Sequence, residues 1–210
     1  ETNKTNVSSN DKNSNEKKSN IDKKDQGEVV DGSINSEILK QNWKYKVYLP
    51  NGYKEKGKEK YPVLYMLHGM GENSSSILEK SNTKNVLDKI MKDKKEKMIV
   101  VFVDGFSSFY VDSDYDKKME SAIKDELIKE IDKKYKTKSD KDNRAIGGFS
   151  VGGYGAASLS LRNPDLFSKA LLISPTLWEK LDEDSLIRRN YRAFSDGKEI
   201  WSDAVYKEKF

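Results

Sequence analysis

Three observations predict an α/β fold with a mostly parallel central sheet. Short apolar runs at 61–67, 98–103 and 170–174 alternate with stretches of helical periodicity. The runs are continuous, which suits strands covered on both faces. Strands that alternate in this way with helices build parallel sheets with helices on both sides. In such sheets ligands sit beyond the carboxyl ends of the strands, so the chemistry is expected at the strand-to-helix turns.

Composition narrows the chemistry. The 210 residues carry 39 Lys+Arg against 35 Asp+Glu, a net charge of +4, with one His and no Cys. Absent Cys excludes a disulfide scaffold, a thiolate metal site and a Cys nucleophile. A single His excludes a His-rich metal centre and leaves one imidazole in the chain. Charged residues make up 35% of the sequence, above the roughly 25% of typical domains. Residues 1–28 are the most polar stretch, where six Lys face six acids and Val7 and Ile21 are the only aliphatics. Such a segment cannot bury enough apolar surface to offset the entropy of ordering it. It is expected to be a disordered polar tether ahead of one domain at 29–210. The chain starts at Glu1, and an Asn/Lys/Ser tether behind a cleaved leader fits a secreted or surface-anchored bacterial protein, with a cytoplasmic one as the alternative. No apolar run is long enough to cross a bilayer.

Along the domain, Trp43, Tyr45, Val47 and Leu49 recur at period two and end at Pro50-Asn51-Gly52, a half-buried strand. The run 61–67 is the next strand. Val86, Leu87, Ile90 and Met91 mark a short helix before the strand at 98–103. Met119, Ile123, Leu127, Ile128, Ile131 and Tyr135 share one face of a longer helix. A strand at 144–149 runs straight into a small-residue helix, and 170–174 is the last strand expected. From 179 to 210 the sequence is polar, helical or loop-like, with Trp178, Tyr191, Phe194, Trp201 and Tyr206 scattered around it.

Two turns carry chemistry. Gly148-Phe149-Ser150-Val151-Gly152 is a G-x-S-x-G between a strand and a helix. A sharp turn there exposes the Ser150 hydroxyl, and Gly148 and Gly152 let strand and helix approach. A phosphate loop would need Lys-Ser/Thr after the second glycine, where this chain has Gly153-Tyr154. The G-x-G-x-x-G of dinucleotide binding is only half matched at 153–158. The other turn, Leu67-His68-Gly69-Met70-Gly71-Glu72, directly follows a strand. Acyl transfer needs two backbone N–H donors aimed at the developing oxyanion. Val151 is assigned as one and Met70 as the other, with Gly69 and Gly71 freeing the loop. His68 shapes that loop as a hydrogen-bonding residue; a role as catalytic base is the rival assignment.

These stretches resemble the esterase branch of the α/β-hydrolases, which includes feruloyl and acetylxylan esterases, tributyrin-type esterases, S-formylglutathione hydrolases and mycolyltransferases. The matching text is 43–53, 61–69, Val103-Asp104-Gly105, 144–156, and Asn163-Pro-Asp-Leu-Phe167 leading to Ser174-Pro175. The similarity is closest to feruloyl-esterase-like members. It implies an α/β-hydrolase sandwich, Ser150 as nucleophile, Val151 and the Met70 region as oxyanion donors, and a pocket bordered by the turn at 103–110. It implies no cofactor and no metal. The expected partner is a small-molecule or polysaccharide ester carrying a short acyl, acetyl or feruloyl group.

The chain departs from that pattern in one respect. The triad acid and His of an α/β-hydrolase follow the nucleophile in the chain. Sixty residues follow Ser150, and none is His. Asp184, Asp196 and Asp203 follow no recognisable strand, so none is assigned as the acid. Two strand-plus-helix units, each of about 30 residues, are expected to be absent. The sequence is therefore read as a C-terminally truncated fragment with little or no turnover. An acyltransferase of the same fold and a non-catalytic surface binding protein are the alternatives. Lysines interspersed with acids, only five Arg, and a mild cluster at Arg188–Arg192 expected to be a solvated cap loop give no nucleic-acid site. Asp112 and Asp114 are expected to be solvated.

Overall fold

The computed structural model describes residues 21–209. One six-stranded sheet of order β1-β2-β4-β3-β5-β6 organises the chain. The strands are β1 (Glu28–Ser36), β2 (Gln41–Leu49), β3 (Val63–Leu67), β4 (Ile99–Val103), β5 (Arg144–Phe149) and β6 (Lys169–Ile173). β4, β3, β5 and β6 run parallel, while β2 is antiparallel to both β1 and β4. The mostly parallel sheet expected from the sequence is present, and β1 is added to it. Residues 28–36 alternate only weakly in polarity, and the strand is an edge whose burial is mostly partial or absent.

Most of residues 1–28, the expected tether, lie outside the described residues. Its last part is ordered. A 3₁₀ turn at Lys23–Asp25 precedes β1, which begins at Glu28. The Gly27 N–H donates to Asp88 Oδ1 at 2.8 Å, and Lys92 pairs with Asp25 at 3.1 Å. Long-range polar bonds hold a stretch too poor in apolar residues to be recognised by pattern.

Helices α1 (Ser76–Lys80) and α2 (Thr83–Lys92) cover one face of the sheet. There Tyr48, Met91, Val100 and Phe102 form a small core. The larger core lies on the other face, where α3 (Met119–Ala122), α4 (Ile128–Lys134) and α5 (Val151–Arg162) pack. The helical face expected at 119–135 is buried as predicted from Met119 to Ile131. The helix is not uniform, because Ile123–Leu127 is a π turn between α3 and α4. From this turn the Glu126 carboxylate accepts the Glu37 and Ile38 N–H groups and the Ser36 hydroxyl, fastening the β1–β2 hairpin to the helix.

Two expectations are corrected. The run at 170–174 was expected to be covered on both faces, but every residue of β6 is exposed, with Leu171 at 50% and Leu172 at 41%. β6 is the last strand of the sheet, and nothing among the described residues pairs with its outer edge. The aromatic residues after β6 are not scattered. Phe194, Trp201 and Tyr206 are buried, and with Trp178 and Tyr191 they pack around Phe109 and Tyr154. This holds α6 (Leu186–Asn190) and α7 (Asp203–Lys209) on the molecule. Within that segment Arg188 is not purely solvated: it pairs with Asp203 at 2.7 Å. No helix among the described residues is long and apolar enough to cross a membrane.

Candidate active site

β5 ends at Phe149 and α5 begins at Val151, leaving Ser150 alone in the turn with φ 56° and ψ −117°. A positive φ is costly for any residue with a Cβ, and such outliers persist where surrounding structure holds them. Here the Ser150 N–H donates to the Ile173 carbonyl at 3.0 Å, and its own carbonyl accepts from Tyr154 at 3.1 Å and Thr176 at 3.1 Å. The two flanking glycines have a steric reason. A Cβ on Gly148 would lie 2.0 Å from the Gly152 oxygen, and one on Gly152 would lie 2.2 Å from the Leu67 oxygen. Helix α5 therefore starts pressed against the ends of both β5 and β3.

Val151 is the first residue of that helix and is buried. Ser150 makes no side-chain cap, so the first-turn N–H groups have no partner from it. The aligned peptides add positive potential at the same point. The Ser150 hydroxyl, partly exposed, is thus set beside uncapped donors.

The second loop leaves β3 alongside. A Cβ on Gly69 would lie 3.5 Å from the Phe149 ring and 3.6 Å from its carbonyl oxygen, so the loop abuts the residue before Ser150. His68 is buried, and both ring nitrogens are engaged. The Gly105 N–H donates to Nε2 at 2.8 Å, so Nδ1 carries the proton and donates to the Gly69 carbonyl at 2.7 Å. Asp104 lies 3.7 Å from Nε2, but its Oδ1 accepts the Phe106 N–H at 3.0 Å. Neither nitrogen of His68 is free to take a proton from Ser150. Glu72 closes the loop: its carboxylate accepts the Gly69 N–H at 3.0 Å and pairs with Lys80 at 2.8 Å. Lys80, and then the Gly69 N–H, hold that carboxyl below its ordinary value. With Gly69 already bonded, Met70 and Gly71, the latter at φ +70°, carry the next N–H groups of the loop.

The remaining sequence candidates sit elsewhere. Asp196 caps its own turn through the Lys198 and Glu199 N–H groups, and Asp203 is held by Arg188 and the Trp201 indole. Asp184 is exposed. Asp112 is not merely solvated, since it accepts the Ser121 N–H at 2.9 Å, and Asp114 pairs with Lys118.

Sequence reasoning did not single out Tyr110, Glu72 or Trp43. Tyr110 is buried, stands at φ 62°, and donates its hydroxyl to the His68 carbonyl at 2.8 Å. Burial pushes that phenol well above its ordinary 10, so it stays a donor. The Trp43 indole fixes the Asp104 carbonyl at 2.7 Å from the sheet side. The signals in the sequence were the turn at 103–110 for Tyr110, the His-Gly turn that ends at Glu72, and a strand pattern that gave Trp43 no functional role.

Known proteins share this fold. The chain matches the family described as "Putative esterase" over residues 36–209. It is 40% identical over 136 residues to an endo-1,4-beta-xylanase/feruloyl esterase of Xylanibacter ruminicola, covering 61% of this chain and 19% of that protein. A ferulic acid esterase structure is similar at 31% identity and TM-score 0.68, over 76% of this chain and 64% of that one. A ferulic acid esterase of Anaeromyces mucronatus, solved with ferulic acid, shares the fold at 22% identity and TM-score 0.66, over 79% of this chain and 64% of that one. The chain therefore spans about a fifth of the curated relative and under two thirds of each of these solved structures. The family match runs from the last residue of β1 to the last residue of α7, and the chain belongs to this esterase family of α/β-hydrolases.

Proposed function

We propose that Ser150 is the nucleophile of a serine carboxylic-ester hydrolase acting on feruloyl, acetyl or short-chain esters, with a small molecule or a polysaccharide as the alcohol part. The observation that carries this is the Ser150 backbone at φ 56° on a turn whose helix presents uncapped N–H groups. Ser150 Oγ attacks the ester carbonyl, and the oxyanion is held by the Val151 and Met70 N–H groups. Collapse expels the alcohol and leaves an acyl-enzyme, which water then hydrolyses. The ester class is supported by relatives described as feruloyl esterases.

The proton of Ser150 needs a base, and His68 is spent on backbone. We assign the base and its acid partner to sequence beyond these 210 residues. Support comes from β6, exposed along its whole length where parallel strands are ordinarily covered on both faces. A secreted or surface-held protein, with the N-terminal segment as its tether, completes the proposal. Purified 1–210 should hydrolyse p-nitrophenyl acetate and methyl ferulate at close to the uncatalysed rate. Robust turnover that Ser150→Ala abolishes would overturn the missing base while keeping the nucleophile. A longer polypeptide carrying the sequence beyond 210 that remains inert and unlabelled by a fluorophosphonate would point to a binding protein on the same fold.

A further inference from the structure

Tyr110 links three elements that chain order keeps apart. Its ring fills a slot between two glycines: a Cβ on Gly105 would lie 2.2 Å from the ring, and one on Gly155 would lie 2.6 Å from it. Its edge meets the His68 imidazole at a centroid distance of 5.9 Å. The hydroxyl is bonded to the His68 carbonyl.

The bonding pattern shows what the hydroxyl controls. The His68 C=O and the Gly69 N–H belong to one planar peptide unit. Tyr110 holds the oxygen of that unit, and Glu72 holds its N–H. The next unit contains the Gly69 C=O and the Met70 N–H. Its oxygen is held by His68 Nδ1, while the other side of the same imidazole is held by the Gly105 N–H from Tyr110's own turn. With both planes fixed, the direction of the Met70 N–H is fixed as well. Preorganised donors of this kind cost no reorganisation as charge develops.

We infer that Tyr110 is a positioning residue for the oxyanion loop, orienting the Met70 N–H through the His68–Gly69 peptide. The inference rests on the esterase assignment of Ser150. It is tested on chain 1–210 with imidazole in solution as the external base and a fluorophosphonate as the probe. Ser150 Oγ then bonds to phosphorus, fluoride leaves and imidazole takes the proton. Tyr110→Phe keeps the ring in its slot and removes one hydroxyl. Its maximal labelling rate should fall about tenfold, short of the ~10²–10³ lost with a whole oxyanion donor. The half-saturating probe concentration should stay unchanged, and amide exchange at Gly69–Gly71 should accelerate about tenfold. Replacing Tyr110 with para-aminophenylalanine restores a donor on the same ring and should recover the rate, which a packing role would not predict.

A wild-type maximal rate in Tyr110→Phe overturns the inference. If the wild-type chain labels no faster than Ser150→Ala, imidazole does not replace the missing base, and the esterase assignment is decided on the longer polypeptide. Amide exchange then decides alone, and unchanged protection of Gly69–Gly71 in Tyr110→Phe overturns the positioning role.

Discussion

Glycine at 155 opposes its own helix. Alanine there would add about 1 kcal/mol of helix propensity, but its Cβ would sit 2.6 Å from the Tyr110 ring. The ring cannot retreat, because Gly105 closes the other side of the slot and the hydroxyl is bonded. The steric effect outweighs the propensity gain. Gly155→Ala is expected to destabilise the chain by about 1–3 kcal/mol, read as a lower urea midpoint; a raised midpoint would show that the slot is slack. Ser150 and its flanking glycines were legible in the sequence because strand, turn and helix are contiguous there. Tyr110 was not, because its slot is made by Gly155, 45 positions away. Its hydroxyl partner His68 lies 42 positions back. Spacing along a chain cannot report a contact that only packing creates.

Among the elements, the strands were found from continuous apolar runs, from the period-two alternation of β2 and from the strand-to-helix turn after β5, and β1 was missed because an edge strand needs no such pattern. The helices show a subtler difference. α2 was recognised from Val86, Leu87, Ile90 and Met91, yet only Met91 of these is buried, while Val86 and Ile90 remain half exposed. Between α2 and β6 lies an apolar groove of about 600 Å³, with Leu87, Ile90, Phe149, Leu171 and Ile173 in its lining. Exposed apolar surface of this extent marks a place where something else packs. The native chain should therefore bind 1-anilinonaphthalene-8-sulfonate without denaturant. Ile90→Lys should reduce that fluorescence severalfold and leave the urea midpoint within about 0.5 kcal/mol of the parent. Fluorescence equal in both proteins would place the dye elsewhere.

For the molecule as a whole, the region after β6 is folded rather than appended. Trp201 is buried, 4.7 Å from the Phe194 ring centroid and 5.3 Å from that of Tyr206. Ser158 of α5 also donates to the Lys209 carbonyl at 3.0 Å. Trp201→Ala should cost about 3–5 kcal/mol, measured by tryptophan-independent circular dichroism in urea. A loss below about 1 kcal/mol would mean that 178–209 is only loosely docked.

Chain order and residue type were enough to establish the α/β class, the serine turn, the His-Gly loop and the lack of any imidazole after Ser150. Each of these is local, and hydrophobic period and turn chemistry are local physics. Other features required the folded chain. They include the Ser150 strain, both bonds that occupy His68, the Tyr110 slot, the exposed β6 and the aromatic cluster around Phe109. All depend on which distant residues share a volume, and that is settled by close packing and by satisfying buried donors and acceptors, neither of which is written in any one segment.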